Sequence, residues 1–458
     1  MPQKAITTLQ QAVSVFNLDL QRERFVPSPE VTKAIQDHSS RLQSEVLRLN
    51  MIIDDITTVR EKLVAQLAVH RSLTSPIHRL FPDILSEIFL RAAERQRDPD
   101  STDMAQTIAC VCTTWRRVAR ATPRLWACVV AASAPELDRY FRLFFPLSLD
   151  GPLDIRCRDE TLLVDFWSRL SPYAHRWRSL EVLGDLDVLS ALGHVRAAHL
   201  EDLCINGYGK PVPKMPILSL EAPRLRRLRV YLDALDNDEQ LLVLPTSSML
   251  TSLVIGVDCP FPATYVLPLL RRCAATLEHF QIDVSHPYVH EETFRTEPSL
   301  EPLIMAALKS IDLRHSACAI LYHVTAPDLE DITVMRGADY LVDALAVLTS
   351  RRSPSRIRHV QMSIDLHADI SIDAAAMVRA LEAMDSLETL RITSFPSPDS
   401  DMILRRLVCH DDAYPLVPNL REFEFPGRLV LARLFNDVFV SRKEERMVQG
   451  RTVAALKQ

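Results

Sequence analysis

The chain has 458 residues, of which 47% are hydrophobic and 24% charged, with a net charge of -6. This is length for two or three units with their own cores, and the balance of an ordinary globular protein. A negative net charge argues against a general nucleic-acid binder, and the longest apolar run, around residues 125–132, is far short of the about 20 residues of a bilayer span. Nine glycines, where average usage of about 7% would give roughly 32, leave few places for phosphate-cradling loops.

Met1-Pro2-Gln3-Lys4 lacks a signal-peptide pattern. The nine cysteines are scattered, odd in number and free of CxxC pairs, which fits reduced thiols. The expected location is therefore cytoplasmic or nuclear. Residues 1–40 carry little periodic signal and are expected to be partly disordered or to hold a short helix over residues 5–16. From Leu42 the pattern changes: Leu42, Leu49, Ile56 and Leu63 fall seven apart, with Val46, Ile53 and Leu67 between them. Arg60 and His70 interrupt the stripe. No proline or glycine occurs between residues 41 and 75, which predicts an amphipathic or coiled-coil helix there, roughly 45 to 50 Å long. Its apolar stripe has two occupants to choose from, a second copy giving a homodimer through residues 42–70, or the neighbouring domain.

Residues 76–130 predict a small all-α module. Pro82 suits a first helical position, Asp83 complements the positive helix end, and Ile84, Leu85, Ile88 and Phe89 recur at helical spacing. A second helix, capped by Ser101, Thr102 or Asp103, would place Ile108, Val111, Cys112, Trp115, Val118 and Ala119 along one broad face before Pro123 ends it. Helices this short are marginal alone and must pack on each other or on a partner.

Ser75-Pro76-Ile77-His78-Arg79-Leu80-Phe81-Pro82-Asp83-Ile84-Leu85-Ser86-Glu87-Ile88-Phe89 and Val111-Cys112-Thr113-Thr114-Trp115-Arg116-Arg117-Val118-Ala119, followed by Pro123-Arg124-Leu125-Trp126, resemble an F-box. A long helix directly ahead of such a segment is common in the F-box proteins of mushroom-forming fungi, which this chain resembles. The resemblance covers roughly 50 residues. It implies docking to the Skp-type adaptor of a cullin-RING ubiquitin ligase, with Leu80, Pro82, Ile84, Leu85 and Ile88 at the adaptor contact. Phe89, Val111, Trp115 and Trp126 would form the module's core. Phe81 and Asp83 depart mildly from the commoner Pro-Glu, and the polar segment 91–103 lengthens the connection between the helices.

Residues 131–175 read as a connecting segment. Over residues 176–428 an apolar-x-x-apolar-x-apolar pattern returns ten times, with first anchors Trp177, Leu200, Leu225, Leu250, Leu277, Leu308, Leu329, Ile357, Leu387 and Leu420, spaced 21 to 33 residues apart. Each unit predicts one short strand, with helical segments over residues 265–276, 338–349, 374–384 and 402–408 in the connections. The pattern resembles an irregular leucine-rich repeat whose usual Asn is mostly missing, and the alternative is an α/β domain with another element order. Residues 429–458 read as an amphipathic capping helix with a charged tail.

In the repeat register, residues between the anchors point outward. Arg227, Arg229, Tyr231, His279, Gln281, Asp312 and Arg314 are the candidate target-binding residues there, because arginine and tyrosine are favoured interface anchors. No GxGxxG, P-loop, GxSxG or HExxH motif appears. Gly207-Tyr208-Gly209-Lys210 is too short for a nucleotide loop. His286-Pro287-Tyr288-Val289-His290-Glu291-Glu292 reads as a loop because Pro287 opposes a helix that would align its histidines, and Cys110-Val111-Cys112 reads as packing.

The expected fold class is α+β and multi-domain: an N-terminal amphipathic or coiled-coil helix, a small all-α F-box, then an α/β leucine-rich-repeat-like solenoid. The expected function is the substrate-recognition subunit of an SCF-type ubiquitin ligase, binding the Skp-type adaptor and a protein target. A ligase-independent interaction scaffold is the alternative. No catalytic residue, metal, cofactor, nucleic acid or membrane is expected to take part.

Overall fold

A computed structural model describes residues 2–15, 26–95, 102–131, 133–209, 218–233, 249–258, 263–284, 301–337, 340–351, 356–364, 373–394, 400–410, 416–425, 432–449 and 451–457. The architecture is α+β, with a long N-terminal helix and one large parallel sheet. The chain divides into two compact units, residues 1–85 and 86–458.

The first unit is helical. Helix α1 (Pro2–Val15) turns Ala5, Thr8 and Ala12 away from solvent and packs along α2 (Pro29–Leu73). The short helix expected over residues 5–16 is thus present from Pro2, while residues 16–25 lie outside the described part. Helix α2 is 45 residues long, about 68 Å at 1.5 Å per residue, and begins well before the expected residue 41. The cause is a start signal in Ser28-Pro29-Glu30. The Ser28 hydroxyl accepts from the Val31 N–H at 3.4 Å, Pro29 needs no donor partner, and Glu30 meets the positive helix end.

The second unit opens with most of α3 (Pro82–Arg95), followed by α4 (Thr102–Val111) and α5 (Thr113–Arg120). The single helix expected here is two, broken at Cys112, whose backbone is extended and whose Sγ accepts from the Trp115 N–H at 3.4 Å. The break turns Val111 out to 56% exposure, so it is not a core residue. Phe89 is buried against half-buried Trp115, with ring centroids 4.9 Å apart, and Trp126 donates from Nε1 to the Ala119 carbonyl at 2.7 Å.

Among the described residues, twelve strands then form one sheet in chain order: β1 (Cys128–Ala131), β2 (Leu153–Cys157), β3 (Trp177–Asp185), β4 (Asp202–Tyr208), β5 (Arg227–Leu232) and β6 (Ser252–Val257). They continue as β7 (His279–Val284), β8 (Ser310–His315), β9 (Asp331–Gly337), β10 (His359–Ile364), β11 (Thr389–Ser394) and β12 (Glu422–Glu424). Every neighbouring pair is parallel. Residues 131–175 are therefore more than a connection. They hold β2 and, with β1, extend the sheet two strands beyond the ten expected.

The middle anchors pair with one another across the sheet. Leu180, Leu203, Leu228, Leu253, Phe280, Ile311, Ile332, Val360, Leu390 and Phe423 form one row of partners, which Ile155 and Val129 prolong. All are buried. Short helices return the chain between strands, among them Leu267–Cys273, Leu341–Ser350, Ala374–Glu382 and Ser400–Leu407, each within or close to a segment expected to be helical. Gly207 in β4 lets one of these returns approach, since a Cβ there would meet Leu186 Cδ2 at 2.4 Å.

The C-terminal segment is a helix (Ala432–Ser441) followed by an antiparallel pair of strands, Arg446–Val448 and Arg451–Val453, rather than a helix with a charged tail. Between them Arg442 is fully buried. Its guanidinium donates to the carbonyls of Leu407 at 3.0 Å, Val417 at 2.8 Å and Leu416 at 2.5 Å. One planar cation thus gathers three backbone carbonyls at the end of the sheet, of which that of Val417 also accepts from the Leu420 N–H at 3.3 Å. Arg442→Met, which keeps bulk and loses these donors, is expected to lower unfolding free energy by about 3 kcal/mol or more in chemical denaturation.

Candidate functional site

Two surfaces gather the residues singled out by the sequence. The first is helix α3 with the turn before it. The apolar residues of this helix divide by face. Leu85 and Phe89, four apart, are buried, while Ile84 and Ile88, also four apart, are 51% and 40% exposed. Leu80, Phe81 and Pro82 are exposed as well. Leu85 therefore holds the helix in place and is withdrawn from the row expected to contact an adaptor, and Phe81, 76% exposed, joins it. Helical spacing identified both sets, but spacing alone does not say which of them faces inward.

The second surface is the outward face of the sheet. Along β5 the burial alternates, with Leu228, Val230 and Leu232 inside and Arg227, Arg229 and Tyr231 outside. Both arginines reach the carboxylate of Asp202 on the neighbouring β4, Arg227 Nε at 3.0 Å and Arg229 Nη2 at 3.3 Å. Burial works against the Arg229 charge, but Asp202, together with Cys204 and Tyr231, offsets it, and the guanidinium pKa lies above its ordinary value. Tyr231 faces Gly256 across the strand pair, where an added Cβ would stand 2.7 Å from its ring. The ring lies over the place where a side chain would be.

Strand β6 offers only Ser252, Val254 and Gly256 on this face. It forms a low step between the arginines of β5 and a polar cluster on β7 and β8. In that cluster His279 Nδ1 lies 2.7 Å from Ser310 Oγ, and Asp283 is shared by Arg314 Nη1 at 3.5 Å and His315 Nδ1 at 3.3 Å. Arg229, Val254, Gln281 and Asp312 are successive partners in one row. The candidate residues are thus one stretch of surface, crossed by β6.

The sequence reading missed the arginine and carboxylate positions contributed by the extra strands. Asp154 on β2 accepts from both Nε, at 2.9 Å, and Nη2 of Arg178, and from Ser179 Oγ at 2.8 Å. Arg156 lies 3.7 Å from Glu181. With Asp202, Arg227 and Arg229 these residues line an open depression of about 340 Å³ in which arginines and carboxylates alternate. A site so balanced in charge is not shaped for a single anion or cation, but suits a surface that itself presents both signs.

Buried Cys204 lies among these side chains, and burial pushes its thiol up to about 11, so it is a packing residue rather than a thiolate nucleophile at neutral pH. Gly207 and Tyr208 belong to β4 and form no nucleotide loop, while Lys210 and the segment from His286 to Glu292 lie outside the described residues. Among the described residues no group of three or more His, Cys, Asp or Glu side chains could hold a metal ion, and no helix is long and apolar enough to cross a membrane. No protein-family model matches the chain, and no curated protein matches it.

Burial raises the Asp312 carboxyl above the ordinary aspartate value, against the opposing charge of Arg314 and with help from Asp283. The folded state therefore holds this proton more tightly than the unfolded chain, and the associated stability is present at low pH and lost as pH rises through the folded pKa. The stability of Asp312→Asn relative to the native chain is accordingly expected to increase between pH 3 and pH 7 in denaturant titrations. A difference that shrinks over that interval contradicts the assignment.

Proposed function

We propose that the protein is a substrate receptor of a cullin-RING ubiquitin ligase. In this reading the F-box-like residues 76–130 dock a Skp-type adaptor, and the outward face of the sheet selects a target protein. The observation that carries it is the division of α3: a helix whose sequence resembles the first F-box helix buries Leu85 and Phe89 and leaves Leu80, Phe81, Ile84 and Ile88 exposed beside them. An exposed apolar row on a short helix suits a binding face for a second protein.

The parallel sheet supports the other half of the reading. Ten strands whose middle anchors pair in register, at a spacing of 21 to 33 residues, are what a leucine-rich-repeat-like solenoid requires. Such a chain supplies position and no reacting group. It would raise the concentration of a target lysine beside a ubiquitin-loaded enzyme, a proximity effect. The ligase-independent scaffold is favoured by a different observation, the exposed apolar stripe along α2.

Co-purification with a Skp-type adaptor tests the proposal. The native chain is expected to bind stoichiometrically, and Ile84→Lys/Ile88→Lys to lose binding while keeping the native thermal melt, because both side chains are exposed. Absence of binding by the well-folded native chain contradicts the receptor reading and leaves the scaffold.

A further inference from the structure

Helix α2 carries one seam that changes its surroundings half-way. From Val31 through Ile35, His38, Leu42, Glu45 and Leu49 to Ile52 the spacing alternates four and three, and each of these residues is half-buried. Helix α1 runs alongside this half, with Lys4 close enough to Glu45 to act on its carboxylate. After Ile52 the seam continues as Ile53, Ile56, Val59, Leu63, Val64 and Leu67, all of them 50% exposed or more. At 100° per residue these six fall within a stripe about 140° wide. The 21 residues that follow Ile52 extend about 32 Å, long enough for a two-helix interface.

We propose that residues 53–73 pair antiparallel with the same residues of a second copy of this chain. Continuity is the first argument. The half of the seam next to α1 is covered by a helix of this chain, and the uncovered half keeps the helical spacing that suits a helical partner. The charge order is the second. Asp55 stands about 40° outside the edge of the stripe at its start, while His70 and Arg71 lie within it at its end. A parallel, in-register pair sets each end against its like and Arg60 against Arg60. An antiparallel pair sets the acidic end against the basic end, so one copy is the complement of the other. This pairing does not depend on adaptor binding.

Sedimentation equilibrium of the full chain between about 1 and 100 μM tests it, a range wide enough to resolve the affinity of a modest two-helix interface. The native chain is expected to be a dimer in this range, and Ile56→Lys/Leu63→Lys a monomer with unchanged circular dichroism and thermal melt. The orientation is read from charge exchange. Asp55→Lys should weaken the dimer severalfold, and adding Arg71→Glu should restore it. A native chain that stays monomeric at every concentration overturns the proposal. So does a melting loss in Ile56→Lys/Leu63→Lys without a change in mass, which assigns the stripe to the chain's own packing. A dimer whose affinity the Asp55→Lys/Arg71→Glu exchange fails to restore overturns the antiparallel arrangement.

Discussion

The row of buried side chains that runs from Val129 through Leu228 and Leu253 to Phe423 is the constraint on which the second unit depends. Each member lies opposite the next, so a one-residue slip at any strand would turn that strand's apolar set to solvent and its polar set into the core. Burying one such side chain is worth roughly 1.5 to 3 kcal/mol, and the row repeats this on every strand. Register and stability thus have the same source. The connecting segments differ in length because the row constrains only where each strand returns, not how the chain gets there.

Function, on the proposed reading, uses what the row leaves over. A strand with period-two side chains that commits one face to the core presents the other to solvent. The outward residues can vary without touching the ladder, and on β5 they are two arginines and a tyrosine steadied by Asp202 and by the bare Gly256. The cost of such a sheet falls at its ends, where the apolar row has no next strand. Toward the C terminus the ring contacts of Phe423 with Phe435 and Phe439, and the buried guanidinium of Arg442, close it. Toward the N terminus β1 follows directly on Trp126, which also holds α5 through its bond to Ala119.

Much of this was legible because the row has a simple spelling. The ten triplets from Trp177 to Phe425 predict ten strands and their register, since the same three positions face inward each time. Strand β2 escaped because Pro152 stands where the first anchor of its triplet belongs, three residues before Ile155. Strand β1 escaped because Trp126, Val129 and Ala131, which fit the pattern, also read as the end of the helical module. The break at Cys112 could not be foreseen from capping preferences, which favour serine, threonine, aspartate and asparagine over a thiol. Arg442 is an ordinary charged residue in sequence, and only the fold brings the carbonyls of residues 407, 416 and 417 around it. The outward candidates lie on the exposed face, but the pairing of Arg227 and Arg229 with Asp202, like that of Arg178 with Asp154, joins residues 24 or more apart in the chain.

The central claim is that one face of the sheet holds the fold while the other is free for recognition, and adjacent residues on one strand test it. Unfolding free energies of Leu228→Ala and Arg229→Ala, measured side by side, should differ sharply. The inward leucine is expected to cost about 2 to 5 kcal/mol on truncation, and the outward arginine less than about 1 kcal/mol because its exposed ion pair contributes little. Equal losses, or a larger loss at Arg229, would contradict the division of labour between the two faces.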